Sequence, residues 1–131
     1  MPSFEIHRIG ASSVDLFINK NSLGEMTAES VERYIACMAQ ATRRYLFHMN
    51  HDVTPHFFDN GTQSLLGYEY PIPREQFHLL FHYPDLGHVI GQGWLDRHAD
   101  ITMYLYERIR AESTASPGLV SLLEPESEGS Q

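Results

Sequence analysis

Cysteine is nearly absent from this sequence, because Cys37 is the only one among 131 residues. A single cysteine excludes an intramolecular disulfide and every zinc motif built from cysteine pairs. The chain also lacks any apolar run near the roughly 20 residues that a membrane-spanning helix needs. Its start, Met-Pro-Ser-Phe-Glu, has neither the basic nor the apolar region of a secretory signal. We therefore expect a cytoplasmic protein with no membrane association and one packed, reduced thiol.

Basic residues are scarce as well. Lys20 is the only lysine, and nine Lys and Arg face 17 Asp and Glu, for a formal net charge of -8. This balance disfavours nucleic-acid binding, since proteins that bind phosphate backbones usually present a clustered basic face. It favours a protein partner with a basic surface, and it is equally compatible with a homodimer.

Length and composition predict a single domain. A chain of 131 residues with 42% hydrophobic residues is long enough to bury one core but too short for two. We expect the globular domain to span residues 1–111. Residues 112–131 read as a polar, acidic and partly disordered tail that ends in Glu-Pro-Glu-Ser-Glu-Gly-Ser-Gln.

The first half of the sequence predicts a β-hairpin and then a long helix. Residues 4–9 and 14–19 alternate partly between apolar and polar side chains, and Gly-Ala-Ser-Ser separates them. Thr27 is a suitable helix cap, and the helix is expected to run to about Met49. Its apolar side chains recur at steps of three and four residues: Val31, Ile35, Met38, Thr42, Tyr45 and Met49.

The second half predicts an irregular segment, one or two strands and a shorter helix. Residues 51–73 are punctuated by proline and Asn-Gly, with a short strand expected at 65–70. The aromatic content of 76–83 favours a strand, although Pro73 and Pro84 would also bound a helix. A second helix is predicted over 96–111. The expected fold is α+β, in which the long helix and the shorter helix cover a small antiparallel sheet formed by the N-terminal hairpin and the later strands.

The densest group of candidate functional residues lies between positions 78 and 100. Histidine paired with a carboxylate supplies acid–base catalysis near neutral pH, which makes His82, His98, Asp96 and Asp100 the candidate catalytic residues. Imidazoles also bind divalent transition metals, and the candidate ligands are His78, His82 and His88. On a strand, His78 and His82 would lie about 13 Å apart, too far to hold one ion together. The alternative is that these histidines are half-buried polar groups on an aromatic surface.

A second group of histidines follows the predicted end of the long helix. It comprises His48, His51, Asp52 and His56. Imidazoles at a helix C-terminus interact favourably with the helix dipole and its last carbonyl groups. A metal site formed by His48 and His51 is the alternative interpretation.

The N-terminus carries one resemblance to a known family. Removal of Met1 would expose a secondary amine at Pro2, and a short strand is expected to follow. With Phe-His-Tyr-Pro-Asp at 81–85 before a Gly-x-Gly turn, this start resembles the tautomerase superfamily, which uses an N-terminal proline as a catalytic base. The resemblance implies that role for Pro2.

These observations leave two main classes of function. The acidic charge and small size favour a binding or regulatory module of the inhibitor, immunity or adaptor type, which acts by protein–protein contact. The alternative is a small acid–base or metal-dependent enzyme that uses residues 78–100, and a tautomerase-like enzyme is more remote. A salt-dependent protein partner would support the first class, whereas a coherent histidine-lined site would support the second.

Overall fold

A computed structural model describes residues 3–91 and 100–110 of the chain. Its strands form one sheet in the order β1-β2-β4-β3, in which β1 is parallel to β2 and β4 is antiparallel to both of its neighbours. The α+β class is therefore confirmed, but the sheet is mixed rather than antiparallel. The elements are β1 (Val14–Lys20), α1 (Ala28–Ala41), β2 (Thr42–His51), β3 (Phe77–Pro84), α2 (Leu86–Gly91) and β4 (Ile101–Arg108), with 3-10 helices at Ser3–Arg8, Leu23–Glu25 and Gly67–Glu69.

The predicted N-terminal hairpin is wrong. Residues Ser3–Arg8 form a 3-10 helix, and β1 pairs in parallel with β2 instead. Ile6 is buried in the core and Ile9 packs against it. That three-residue spacing suits a 3-10 helix, in which residues three apart lie on the same side. The following turn bonds to the end of α1, where the Ser12 N–H donates to the Gln40 carbonyl at 2.9 Å.

The long helix begins where the sequence predicts but ends eight residues early. Thr27 caps α1, and its side chain accepts a hydrogen bond from the Ser30 N–H. The helix ends at Ala41, and Thr42 already has the extended backbone of β2. Residues four apart share a face in a helix and also in a strand, so Tyr45 and Met49 fit both periodicities. The β-branched and aromatic residues after Ala41 favour the strand.

The predictions for the later elements are correct in part. The strand expected at 76–83 is confirmed as β3, whereas the short strand expected at 65–70 is wrong, because Gly67–Glu69 forms a 3-10 helix. The helix predicted over 96–111 is also wrong in its described part, where Ile101–Arg108 is β4. The remainder of that segment and the predicted tail, 112–131, lie outside the described residues.

Helix α1 and the segment after β2 cover one face of the sheet. Val31, Ile35 and Met38 are buried against Leu46 and Phe77. The opposite face carries large apolar side chains that remain exposed among the described residues, namely Leu16, Ile18, Phe81 and Tyr83. In residues 3–91 and 100–110, no helix is long and apolar enough to cross a membrane.

Candidate acid–base site

A polar cluster lies at the carboxyl edge of the two parallel strands. Because β1 and β2 are parallel, both end at this edge, and the antiparallel β4 begins there with Ile101 opposite His51. Ligands of open sheets with parallel strands bind outside the carboxyl ends of those strands. The polar residues collected here are Asn19, Asn50, His51, Asp52 and Asp100.

His51 and Asp100 form a hydrogen-bonded pair in this cluster. His51 Nδ1 lies 2.7 Å from Asp100 Oδ2, and Asp100 Oδ1 accepts from the Val53 N–H at 3.0 Å and the Thr54 N–H at 2.8 Å. Burial raises the pKa of the Asp100 carboxyl, but the hydrogen bonds from His51, Thr54 and Val53 outweigh it and hold the pKa below its ordinary value. An ionised Asp100 requires the proton of a neutral His51 to sit on Nδ1, which leaves the Nε2 lone pair available.

The backbone around His51 is fixed by buried amides. Asn50 is buried, its Nδ2 donates to Asn19 Oδ1 at 3.1 Å, and its Oδ1 accepts from the Gly24 N–H at 3.3 Å. These bonds hold the turn at Leu23–Glu25 close to His51, since a Cβ on Gly24 would lie 3.3 Å from His51 Cδ2. The His51 side chain nevertheless remains 32% exposed and so is accessible to a ligand.

Asp52 lies beside this pair and binds a tyrosine. Tyr104 donates its hydroxyl hydrogen to Asp52 Oδ2 at 2.6 Å, whereas Asp52 Oδ1 and the Tyr70 hydroxyl are buried without a partner among the described residues. Burial, with the contact to Asp52, raises the pKa of both tyrosines well above its ordinary value, so both hydroxyls stay protonated. A Cβ on Gly67 would lie only 2.6 Å from Asp52 Oδ1, which explains the glycine at that position.

His48 is separated from His51 and belongs to an aromatic stack. Its ring centroid lies 4.6 Å from that of Tyr104, in a stacked arrangement, and 4.9 Å from that of Tyr70. The side chain is fully buried, and neither ring nitrogen has a hydrogen-bond partner among the described residues. Burial lowers the pKa of His48 to about 3, so the imidazole is neutral. Residues three apart on a strand point to opposite faces, so His48 and His51 do not converge.

We expect His48 to make the stability of the fold depend on pH. Because the folded pKa of about 3 lies below the ordinary value of 6.5, the unfolded chain binds a proton here as the pH falls, and the folded chain does not. The free energy of unfolding should therefore be about 2 kcal/mol lower at about pH 5 than at about pH 8. Urea unfolding at several pH values measures this difference.

His48→Leu provides the matched comparison. It removes the titrating group and both unpartnered nitrogens but keeps most of the buried volume, so this pH dependence should disappear. His7→Leu, at an exposed position, should retain it. Asp100 contributes a pH dependence of its own, but in a more acidic range than His48. Because the pKa of its carboxyl is lower in the folded chain, Asp100 stabilises the fold above its unfolded pKa, and this stabilisation is lost only as the pH falls through the folded pKa. An unchanged slope in His48→Leu would contradict the prediction.

The structure places the predicted site residues in several locations. Asp100 forms a hydrogen bond with His51, which the sequence assigned to the other histidine group. His82 stacks on Tyr104, with 5.7 Å between the ring centroids, and His78 Nε2 lies 3.5 Å from Glu107. The remaining candidates lie outside the description: Pro2, Asp96, His98 and the side chain of His88.

The helix-end interpretation of the second histidine group is wrong, because α1 ends at Ala41 and His48 and His51 lie on β2. Since these two side chains point to opposite faces of the strand, they do not form the proposed metal site together. Within the described ranges, no three His, Cys, Asp or Glu side chains come together as a metal site. With the His88 side chain outside the description, metal binding by His78, His82 and His88 stays a prediction.

Comparison with known proteins yields no family for this sequence. No family model matches the chain, and no curated protein matches it with significant similarity. Function is therefore inferred from the site itself.

Proposed function

We propose that this protein is an acid–base enzyme in which His51, positioned by Asp100, removes a proton from a hydroxyl group of its substrate. The observation that supports this function is the 2.7 Å contact between His51 Nδ1 and Asp100 Oδ2 at the carboxyl edge of the parallel strands. It retains Asp100 from the predicted catalytic set and adds His51 as its partner.

Each member of the pair has a distinct role. Asp100 accepts the Nδ1 proton, which orients the imidazole and leaves Nε2 as the base. When Nε2 takes the substrate proton, the imidazolium that forms is stabilised by the adjacent carboxylate. The deprotonated oxygen is then a stronger nucleophile.

Methyl transfer from a sulfonium donor is the reaction by which this role can be tested. The activated oxygen would bond to the methyl carbon of S-adenosylmethionine as the carbon–sulfur bond breaks, so that the donor leaves as a neutral thioether while His51 holds the proton.

Two measurements test the acid–base role. The first is methyl transfer from labelled S-adenosylmethionine to a panel of polyols and phenols, in which Asp100→Asn should reduce the rate at least 100-fold. The second needs no substrate, because nitrogen NMR locates the imidazole proton. We expect it on Nδ1 of His51 in the native protein and on Nε2 in Asp100→Asn. A proton on Nε2 in the native protein, or full activity of Asp100→Asn, would contradict the proposal.

A binding function is a second candidate, favoured by the exposed apolar side chains on the uncovered sheet face. Leu16, Ile18 and Tyr83 are each about half exposed or more, and exposed apolar patches often mark protein contacts. The net charge of -8 suits a partner with a basic surface. Replacing Ile18 with Asp should abolish such an association without reducing methyl transfer. Sedimentation at increasing protein concentration distinguishes a homodimer from a different partner.

A further inference from the structure

A cleft of about 500 Å³ opens beside the aromatic stack. This volume is within the range of small-molecule binding sites. The residues that line it come from the segment after β2, from β3 and from β4: Tyr68, Tyr70, Ile72, Arg74, Phe77, His78, Leu79, His82, Tyr104 and Tyr106.

The walls of the cleft form a largely aromatic surface. Tyr104 and Tyr106 are two apart on β4 and point to the same face, with their rings inclined by only 10° and their centroids 6.4 Å apart. His82 extends this surface at 5.7 Å from Tyr104. Tyr104 is only 5% exposed, so the rings that a ligand can contact are those of Tyr68, which is 61% exposed, and of His82 and Tyr106.

The charge of the lining is opposite to that of the protein. Although acids outnumber bases 17 to nine in the sequence, none of the described residues that line the cleft is Asp or Glu. The neighbouring Asp52 and Glu107 contact Tyr104 and His78 respectively. Arg74 is exposed, and its guanidinium forms no hydrogen bond or ion pair with another side chain in the part of the chain that the structure describes. Arg74 therefore offers an available cation beside the aromatic rings of the described lining.

We propose that this cleft binds a planar aromatic anion, with its ring against the accessible rings of Tyr68 and Tyr106 and its anionic group at Arg74. Offset stacking between flat rings stabilises such a complex, and a guanidinium binds a phosphate or carboxylate through two parallel hydrogen bonds. Binding at the cleft does not require the acid–base role of His51.

Calorimetric titration with naphthyl phosphate tests this specificity. We expect saturable one-to-one binding, with naphthol and inorganic phosphate each binding at least about 10-fold more weakly, because each lacks one of the two recognition elements. Arg74→Gln should reduce the affinity for naphthyl phosphate to that for naphthol. Tyr68→Ala should weaken the binding of both ring-bearing probes about 5-fold, through lost stacking.

Matched variants distinguish binding at the cleft from binding elsewhere on the protein. Arg33→Gln removes an equal charge from the exposed surface of α1 and should leave the affinity unchanged. His51→Gln should also bind naphthyl phosphate normally, even if it changes activity. Equal affinity for naphthol and naphthyl phosphate, tighter binding of naphthyl trimethylammonium, or equal losses in Arg33→Gln and Arg74→Gln would each overturn the proposal.

Discussion

Replacing His51 with glutamine is expected to lower kcat/KM for group transfer by about 100-fold or more, since general acid–base groups commonly contribute that much to a rate. Glutamine retains a similar volume and can still bond to Asp100, but it has no nitrogen that accepts a proton near neutral pH. The effect should fall mainly on kcat, because the base acts in the transition state. Initial rates over a range of acceptor concentrations separate kcat from KM.

His56→Gln is the control for this prediction. His56 is five positions further along the chain and is exposed, and its ring lies 3.3 Å from Glu25 rather than beside Asp100. We expect its rate to match that of the native protein. If His51→Gln retains more than about a third of the native rate, His51 is not the base.

Replacing Met38 with alanine is expected to lower the free energy of unfolding by about 2 to 5 kcal/mol. Met38 is 0% exposed and lies on the side of α1 that packs in the core with Val31, Ile35 and Leu46. Truncation removes buried apolar surface and leaves a cavity, since close-packed neighbours relax only in part. Urea unfolding monitored by circular dichroism measures the loss.

Glu32→Ala on the same helix is the matched control. Glu32 is exposed, so its truncation should change the free energy of unfolding by no more than about 0.5 kcal/mol. A loss for Met38→Ala as small as that of Glu32→Ala would mean that α1 does not pack on the sheet as described.

Several parts of the fold could be predicted from local sequence signals. The hydroxyl of Thr27 satisfies a free N–H at the start of α1, and this requirement involves only the neighbouring residues. The strands at 14–20 and 77–84 follow local patterns of alternating or aromatic side chains. Proline and glycine likewise predict the irregular path of 51–73, because they restrict or free individual backbone angles.

Tertiary structure decided the elements whose periodicity is ambiguous. Steps of four residues place Tyr45 with Met49, and Ile101 with Leu105, on one side of either a helix or a strand. In the folded chain, pairing of β2 with β4 selects the strand for both segments, because each satisfies the backbone groups of the other. No local signal predicts that β1 would pair in parallel with β2 across α1.

The candidate site required the same long-range information. His51 and Asp100 are 49 residues apart, and the sequence assigned them to separate groups. The chemistry of the residue types was evident, since histidine and aspartate together suggest acid–base catalysis. By itself, the sequence determined the acidic charge, the single core, the helix start and Asp100 as a candidate. The register of β2 against β4 decided which histidine meets that carboxylate, because strand pairing joins residues that no local pattern connects.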